Sequence, residues 1–138
     1  MEHIAILRQP FFDMVLNGTK TIESRWSMNK VAPYHKVKKG DTILLKETGK
    51  DVTAKANVLA VKYYELTPEK VEEIRIKYGK EIGTDKFEDW KSTLNKKYCS
   101  LIWLDKVEKI KPLKVPRSNG AGWIVTKCDT KQLKFELF

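Results

Sequence analysis

The feature that most restricts the fold is the run from Val52 to Tyr64, thirteen residues of near-continuous strand pattern entered through the turn Thr48-Gly49-Lys50-Asp51. Ala54, Ala56, Val58, Ala60 and Lys62 alternate with Lys55, Asn57, Leu59 and Val61, so the faces are mixed rather than cleanly apolar and polar. Such a strand is covered on both sides for part of its length, which suits a barrel stave better than a free sheet edge. Before the turn, Thr42 to Glu47 reads as its hairpin partner, with Ile43 and Leu45 on one face and Leu44 and Lys46 on the other. Further strands are expected at Ile4–Arg8, Tyr98–Leu104, Val107–Val115 (interrupted at Pro112), Trp123–Thr126 and the tail carrying Leu133, Phe135 and Leu137.

Helical signals are fewer. Pro10 and Asn17-Gly18 bracket about two turns, with Phe11, Met14 and Val15 at helical spacing as core candidates. Thr67-Pro68 is a cap followed by a first-turn proline, and Glu69, Glu72 and Glu73 suit the helix N-terminus. Val71, Ile74 and Tyr78 form that helix's apolar stripe, and Gly79 is its expected end. Another helix is expected from about Asp85 to Lys96, where Phe87, Trp90 and Leu94 have packing spacing. The pair reads as a lid on the barrel.

At 138 residues the chain is one domain by size, spanning 1–138 and able to bury roughly 65–70% of its unfolded surface. It carries 27 basic against 18 acidic residues, a net charge of +9, which favours a polyanionic partner and nucleic acid first. No apolar run approaches the ~18 residues of a membrane span, and the first residues lack a signal-peptide layout. The expected compartment is the cytoplasm. Cys99 and Cys128 lack C-x-x-C spacing and read as reduced thiols, while His3 and His35 are too few and scattered for zinc. Neither a metal nor a cofactor is expected.

The chemistry concentrates in Leu7–Trp26. After Gly18 the chain re-enters as a strand, with Lys20, Ile22, Ser24 and Trp26 expected on one face and Thr21, Glu23 and Arg25 on the other. Glu23 and Arg25 lie about 7 Å apart along that strand, close enough to pair or to frame a ligand together. A solvated charged face is the competing reading of the same pattern.

The run G-x-K-x-x-E-x-R, here Gly18, Lys20, Glu23 and Arg25, resembles the signature of the ASCH family, the activating-signal-cointegrator homology domains. Arg8-Gln9-Pro10 and Lys39-Gly40-Asp41 are also similar to that family. The resemblance is strongest over residues 7–47. It implies an α+β, PUA-like mixed β-barrel with flanking helices, and a partner that is RNA or a nucleotide. Arg8, Lys20 and Arg25 are then candidate donors to phosphate or base edges, and Trp26 or Trp123 candidate stacking surfaces. The loop containing Ser118 and Asn119, with Gly120 and Gly122, can bring backbone close to a ligand, although a tight turn with Trp123 buried in the barrel is the reading the pattern favours. The Lys-rich stretch 27–38, centred on Tyr34 and His35, reads either as an RNA-holding loop or as ordinary surface.

The same resemblance brings an enzymatic alternative. Some small bacterial ASCH proteins are amidohydrolases acting on N4-acetylcytidine through the lysine of the G-x-K motif, a threonine three residues later and a distant glutamate. Lys20 matches the lysine, but Glu23 occupies the threonine position, so Lys20 and Glu23 would have to work by another route. Glu23 would act as general base on a water or hold Lys20 in place, with Lys20 as oxyanion stabiliser or proton donor to the leaving amine. Ribonuclease action by the same pair, with His35 swinging in, is a third reading. A pure binder needs Lys20 and Arg25 along an open groove; a hydrolase needs Lys20 and Glu23 converging in a closed, nucleoside-sized pocket.

Overall fold

The computed structural model describes residues 1–116 and 120–126. The expected tail strand, Cys128, Ser118 and Asn119 lie outside the described residues. Six strands, β1 (Glu2–Leu7), β2 (Ile22–Ser27), β3 (Thr42–Glu47), β4 (Val52–Glu65), β5 (Tyr98–Leu113) and β6 (Trp123–Thr126), form one sheet in the order β2-β5-β4-β3-β1-β6. β1 and β3 run parallel, Glu2 beside Thr42 through Leu7 beside Glu47, and the other pairs are antiparallel. The sheet curls into a PUA-like half-barrel flanked by helices, an α+β architecture. Among the described residues its two edges are β2 and β6, and the seam between them matters below.

The β3–β4 hairpin follows the sequence pattern, with β3 at Thr42–Glu47 as expected. In β4 the alternation breaks at a register shift between Val58 and Ala60. Ala54, Ala56 and Val58 enter the barrel core, Leu59 is turned out, and Val61 packs inward in place of Ala60. A bulge inserts one residue and so reverses which parity faces the core. β5 is a single strand where two were expected. Lys106, at φ 50°, absorbs the irregularity between its halves, and Pro112 stands one residue from its end.

The short helix α1 (Phe11–Leu16) begins after Pro10 and ends at Asn17, with Gly18 at φ 84° turning the chain back. Phe12 and Val15 are its buried residues; Phe11, expected in the core with Met14, is only partly covered and faces a cleft. The longer helix α2 (Pro68–Ile82) is capped by Thr67, whose Oγ1 accepts from the Lys70 amide at 3.1 Å. It does not stop at Gly79. There the returning chain passes so close that a Cβ would lie 2.8 Å from Asp85 Cα, and the helix ends instead at Gly83, φ 134°. Gly79 is a point of close approach, not a terminator.

The helix expected from Asp85 to Lys96 shrinks to α3 (Phe87–Trp90) and a 3-10 turn, Lys91–Thr93. The Thr93 hydroxyl donates to the Trp90 carbonyl at 2.6 Å, offering that acceptor a local partner that competes with continued helix. Trp90 is buried beside Ile22, Leu101, Val71 and Ile74, an apolar cluster that fastens α2 and α3 to one face of β2 and β5. A larger cluster, including Ala5, Ile43, Leu45, Ile102 and Trp123, fills the barrel. Cys99 is buried and free, and burial pushes its thiol pKa up, as fits an inert reduced cysteine.

Candidate functional site

Beside α1, along the seam, lies a cleft of about 590 Å³. Its floor holds Lys20, Glu23 and Arg25, its walls Phe11, Trp26 and Trp90, and its rim Arg8 and Lys96. The three charged groups of the signature therefore open onto one shared hollow. Lys20 precedes β2 instead of belonging to it, so strand alternation does not bind it. It folds over to place Nζ 3.6 Å from Glu23 Oε1, an ion pair between a lysine 4% and a glutamate 6% exposed.

Lys20 is heavily committed. Its Nζ donates to the Ile22 carbonyl at 2.8 Å and to the carbonyl of Ile82, the last residue of α2, leaving its third N–H to face Glu23. The cation therefore ties the helix C-terminus to the start of β2, a favourable place for positive charge. Burial lowers its pKa from the ordinary lysine value; Glu23 opposes that shift and Arg25 adds to it.

Glu23 is the opposite case. Burial alone would raise its pKa, but Lys20, Arg25 and the Ser24 amide, which donates to Oε1 at 2.9 Å, together outweigh it. The carboxylate is held ionised, below the usual range. Its Oε2 lies 3.5 Å from Arg25 Nη2 and accepts no hydrogen bond among the described residues. A buried ionised oxygen without a hydrogen-bond donor is uncommon.

Arg25 was expected to offer its fork to phosphate or a base edge. Instead it spans the seam: Nη1 donates to the Gly122 carbonyl and Nη2 to the Ile6 carbonyl, each at 3.0 Å. The Ile6 amide also donates to the Gly122 carbonyl at 3.0 Å, so the guanidinium extends the local bonding of β1 across to β2. A Cβ at Gly122 would lie 2.8 Å from Nη1, so a side chain there would push the end of the guanidinium aside.

Trp123 takes the buried alternative. It is 6% exposed, its Nε1 donates to His3 Nδ1 at 3.2 Å, and its ring lies 5.2 Å beneath the Arg25 guanidinium. His3 in turn meets Asp41 Oδ2 through Nε2 at 2.8 Å, which fixes its proton on Nε2. Trp123 thus supports Arg25 from below and does not line this cleft, although part of it borders a smaller neighbouring hollow. Trp26 remains at the cleft, its ring edge-on to Trp90 at 5.2 Å and its Nε1 bonded to Ser24 Oγ at 3.0 Å. Arg8 is exposed at the rim, over Phe11 at 5.7 Å.

In the 27–38 stretch, Tyr34 is buried against Tyr63 and Tyr98, which removes it as a stacking surface. His35 packs on Tyr63 at 4.4 Å and does not line the cleft. Phe11 and Trp90 were missed as cleft residues. Both have the spacing of core positions, and nothing local separates an apolar wall from a core. Among the described residues no group of His, Cys, Asp or Glu could hold a metal, and no helix is long and apolar enough to cross a membrane.

The family model of the ASCH domain matches residues 6–114. A crystal structure of ASCH from Zymomonas mobilis superposes with a TM-score of 0.70 at 18% identity, over 99% of this chain and 94% of that one. A mutant form of the same bacterial protein gives 0.72 at 16% identity, over 99% and 97%. The N-terminal domain of Staphylothermus marinus McrB gives 0.54 at 15% identity, over 98% and 93%. At these identities the likenesses show the fold. No curated protein sequence matches the chain significantly.

Proposed function

Since the chain belongs to the ASCH domain family, whose PUA-like fold is often linked to RNA binding, we propose that residues 1–138 act as one RNA-binding domain. The cleft takes an unpaired nucleotide and releases it unchanged. The observation that carries this reading is the convergence of Lys20, Glu23 and Arg25 on one cleft, where the buried Glu23 Oε2 accepts no hydrogen bond among the described residues. An ionised carboxylate seeks an N–H, and the exocyclic amine of a nucleobase supplies one. The volume, about 590 Å³, falls in the range of small-ligand sites. Phe11, Trp26 and Trp90 give the base an aromatic setting, and Arg8 and Lys96 at the rim suit phosphate.

Intrinsic tryptophan fluorescence, titrated with nucleoside monophosphates and short single-stranded RNA, tests the proposal. Glu23→Gln should weaken binding by about tenfold or more, the loss of one hydrogen bond to a charged group. Arg8→Ala, at an exposed position, should weaken it and flatten its salt dependence. Absence of binding by the wild type, or full affinity in Glu23→Gln, refutes the reading.

One observation favours hydrolysis of N4-acetylcytidine as a second reading: Lys20 and Glu23, both buried, converge to 3.6 Å at the cleft. Against it, Lys20 has its donors directed at protein acceptors, and Glu23 is held as a weakly basic carboxylate. Release of cytidine from N4-acetylcytidine by the wild type but not by Lys20→Ala would favour turnover over binding alone. Ribonuclease action draws no support from His35, which lies off the cleft.

A further inference from the structure

The seam does not end at Arg25. On the far side of its guanidinium lies a second, smaller hollow of about 170 Å³, which shares Arg25, Trp26 and Gly122 with the main cleft. Strand alternation explains the arrangement. Glu23, Arg25 and Ser27 project from the same side of β2 at intervals of about 7 Å, so the Arg25 bridge partitions one groove into two compartments. Ser27, Val31, Ala32, Pro33, Ser100 and Trp123 also line the second. Its outer lip is unusually apolar for exposed chain: Val31 is 55% and the nearby Met28 45% exposed. Lys30, next to that lip, lies 5.6 Å over the Tyr98 ring.

We infer that this hollow is a second subsite, which receives the nucleotide adjoining the one in the main cleft, so that the ligand is a single-stranded RNA chain and not a free nucleotide. The inference rests on the proposed use of the main cleft. The partition itself suits the linking phosphate. A guanidinium has five N–H donors, and Arg25 commits two to carbonyls and turns one nitrogen toward Glu23, which leaves donors free on a side chain still 22% exposed. Lys30 adds a cation where the chain would leave the groove, and the apolar lip formed by Val31 gives a sequence-tolerant contact for the second base.

Calorimetric titration with cytidine and adenosine monophosphates, the corresponding dinucleotides and an RNA hexamer tests the inference. The dinucleotides should bind at least about fivefold more tightly than the monophosphates, the increment of one further base contact. Val31→Glu, an exposed substitution that sets a negative charge at the lip, should abolish that advantage while leaving monophosphate affinity within about twofold. Val31→Lys should preserve it. Equal affinity for monophosphate and dinucleotide overturns the second subsite while the main cleft stands, and so does a Val31→Glu variant that weakens both ligands alike. If neither ligand binds the wild type, the reading of the main cleft fails and takes the second subsite with it.

Discussion

Lys20→Met replaces a buried cation by an apolar chain of similar length, and the structure fixes what it leaves behind. Two carbonyls, of Ile22 and Ile82, lose their donor, and Glu23 loses the cation 3.6 Å from its Oε1. Each stranded acceptor costs about 1–3 kcal/mol when water cannot replace the donor. Glu23 is not left alone, because the Ser24 amide still donates to it and Arg25 stays within 3.5 Å. The adjoining cleft also lets some water in. These opposing terms place the loss at about 3–5 kcal/mol, the range for breaking a buried ion pair from one side. That is a large share of the roughly 5–15 kcal/mol available to a typical fold. Urea denaturation of the wild type, Lys20→Met, Glu23→Gln and the double variant gives the value and the coupling. The double variant should be less destabilised than the sum of the singles by about 1–3 kcal/mol, since they share one network. A Lys20→Met protein within about 1 kcal/mol of wild type would refute the reasoning. Lys20 would then be free of its carbonyls and available for chemistry on a ligand.

Other expectations concern acid, the seam and the helix. The folded pKa of Glu23 lies below its ordinary 4.5, so its contribution is complete above the ordinary carboxylate range and is lost as pH falls through the depressed value. The stability difference between wild type and Glu23→Gln should therefore narrow on acidification from pH 7 toward 3, and parallel curves would contradict the shift. Arg25→Lys keeps the charge but cannot bridge two carbonyls as the planar fork does, which should cost about 1–2 kcal/mol. Amide exchange should then quicken in Trp123–Thr126 more than in β5, and uniform exchange would argue against the bridge. Gly79→Ala gains about 1 kcal/mol of helix propensity but drives a Cβ to 2.8 Å from Asp85 Cα. Overpacking should prevail, with a net loss of about 1 kcal/mol seen in thermal denaturation. A stabilised variant would show that the 83–86 turn yields freely.

What the amino-acid order determined is local in origin. The Thr67 cap, the Gly18 turn, the β3–β4 hairpin and the excess of positive charge arise from interactions within a few residues, or from composition alone, and the Gly18-Lys20-Glu23-Arg25 spacing carried the family. The failures came where a local signal has two physical meanings. A glycine in a helix marks either a stop or a close approach, and Gly79 is the latter because Asp85 returns beside it. Alternation predicts faces only until a bulge, and the shift at Val58/Ala60 reversed them in β4. Tertiary structure alone decided the roles of the site residues. Arg25 became a strut across the seam because Gly122, 97 positions away, presents its carbonyl there. Trp123 was held out of the main cleft by His3, and Lys20 was bound to the end of α2, 62 positions on. Glu23 keeps one oxygen without a hydrogen bond among the described residues because Arg25 Nη2, the nitrogen nearest to it at 3.5 Å, is directed at the Ile6 carbonyl. Such contacts depend on where the chain returns in space, and side-chain type and spacing do not encode that return.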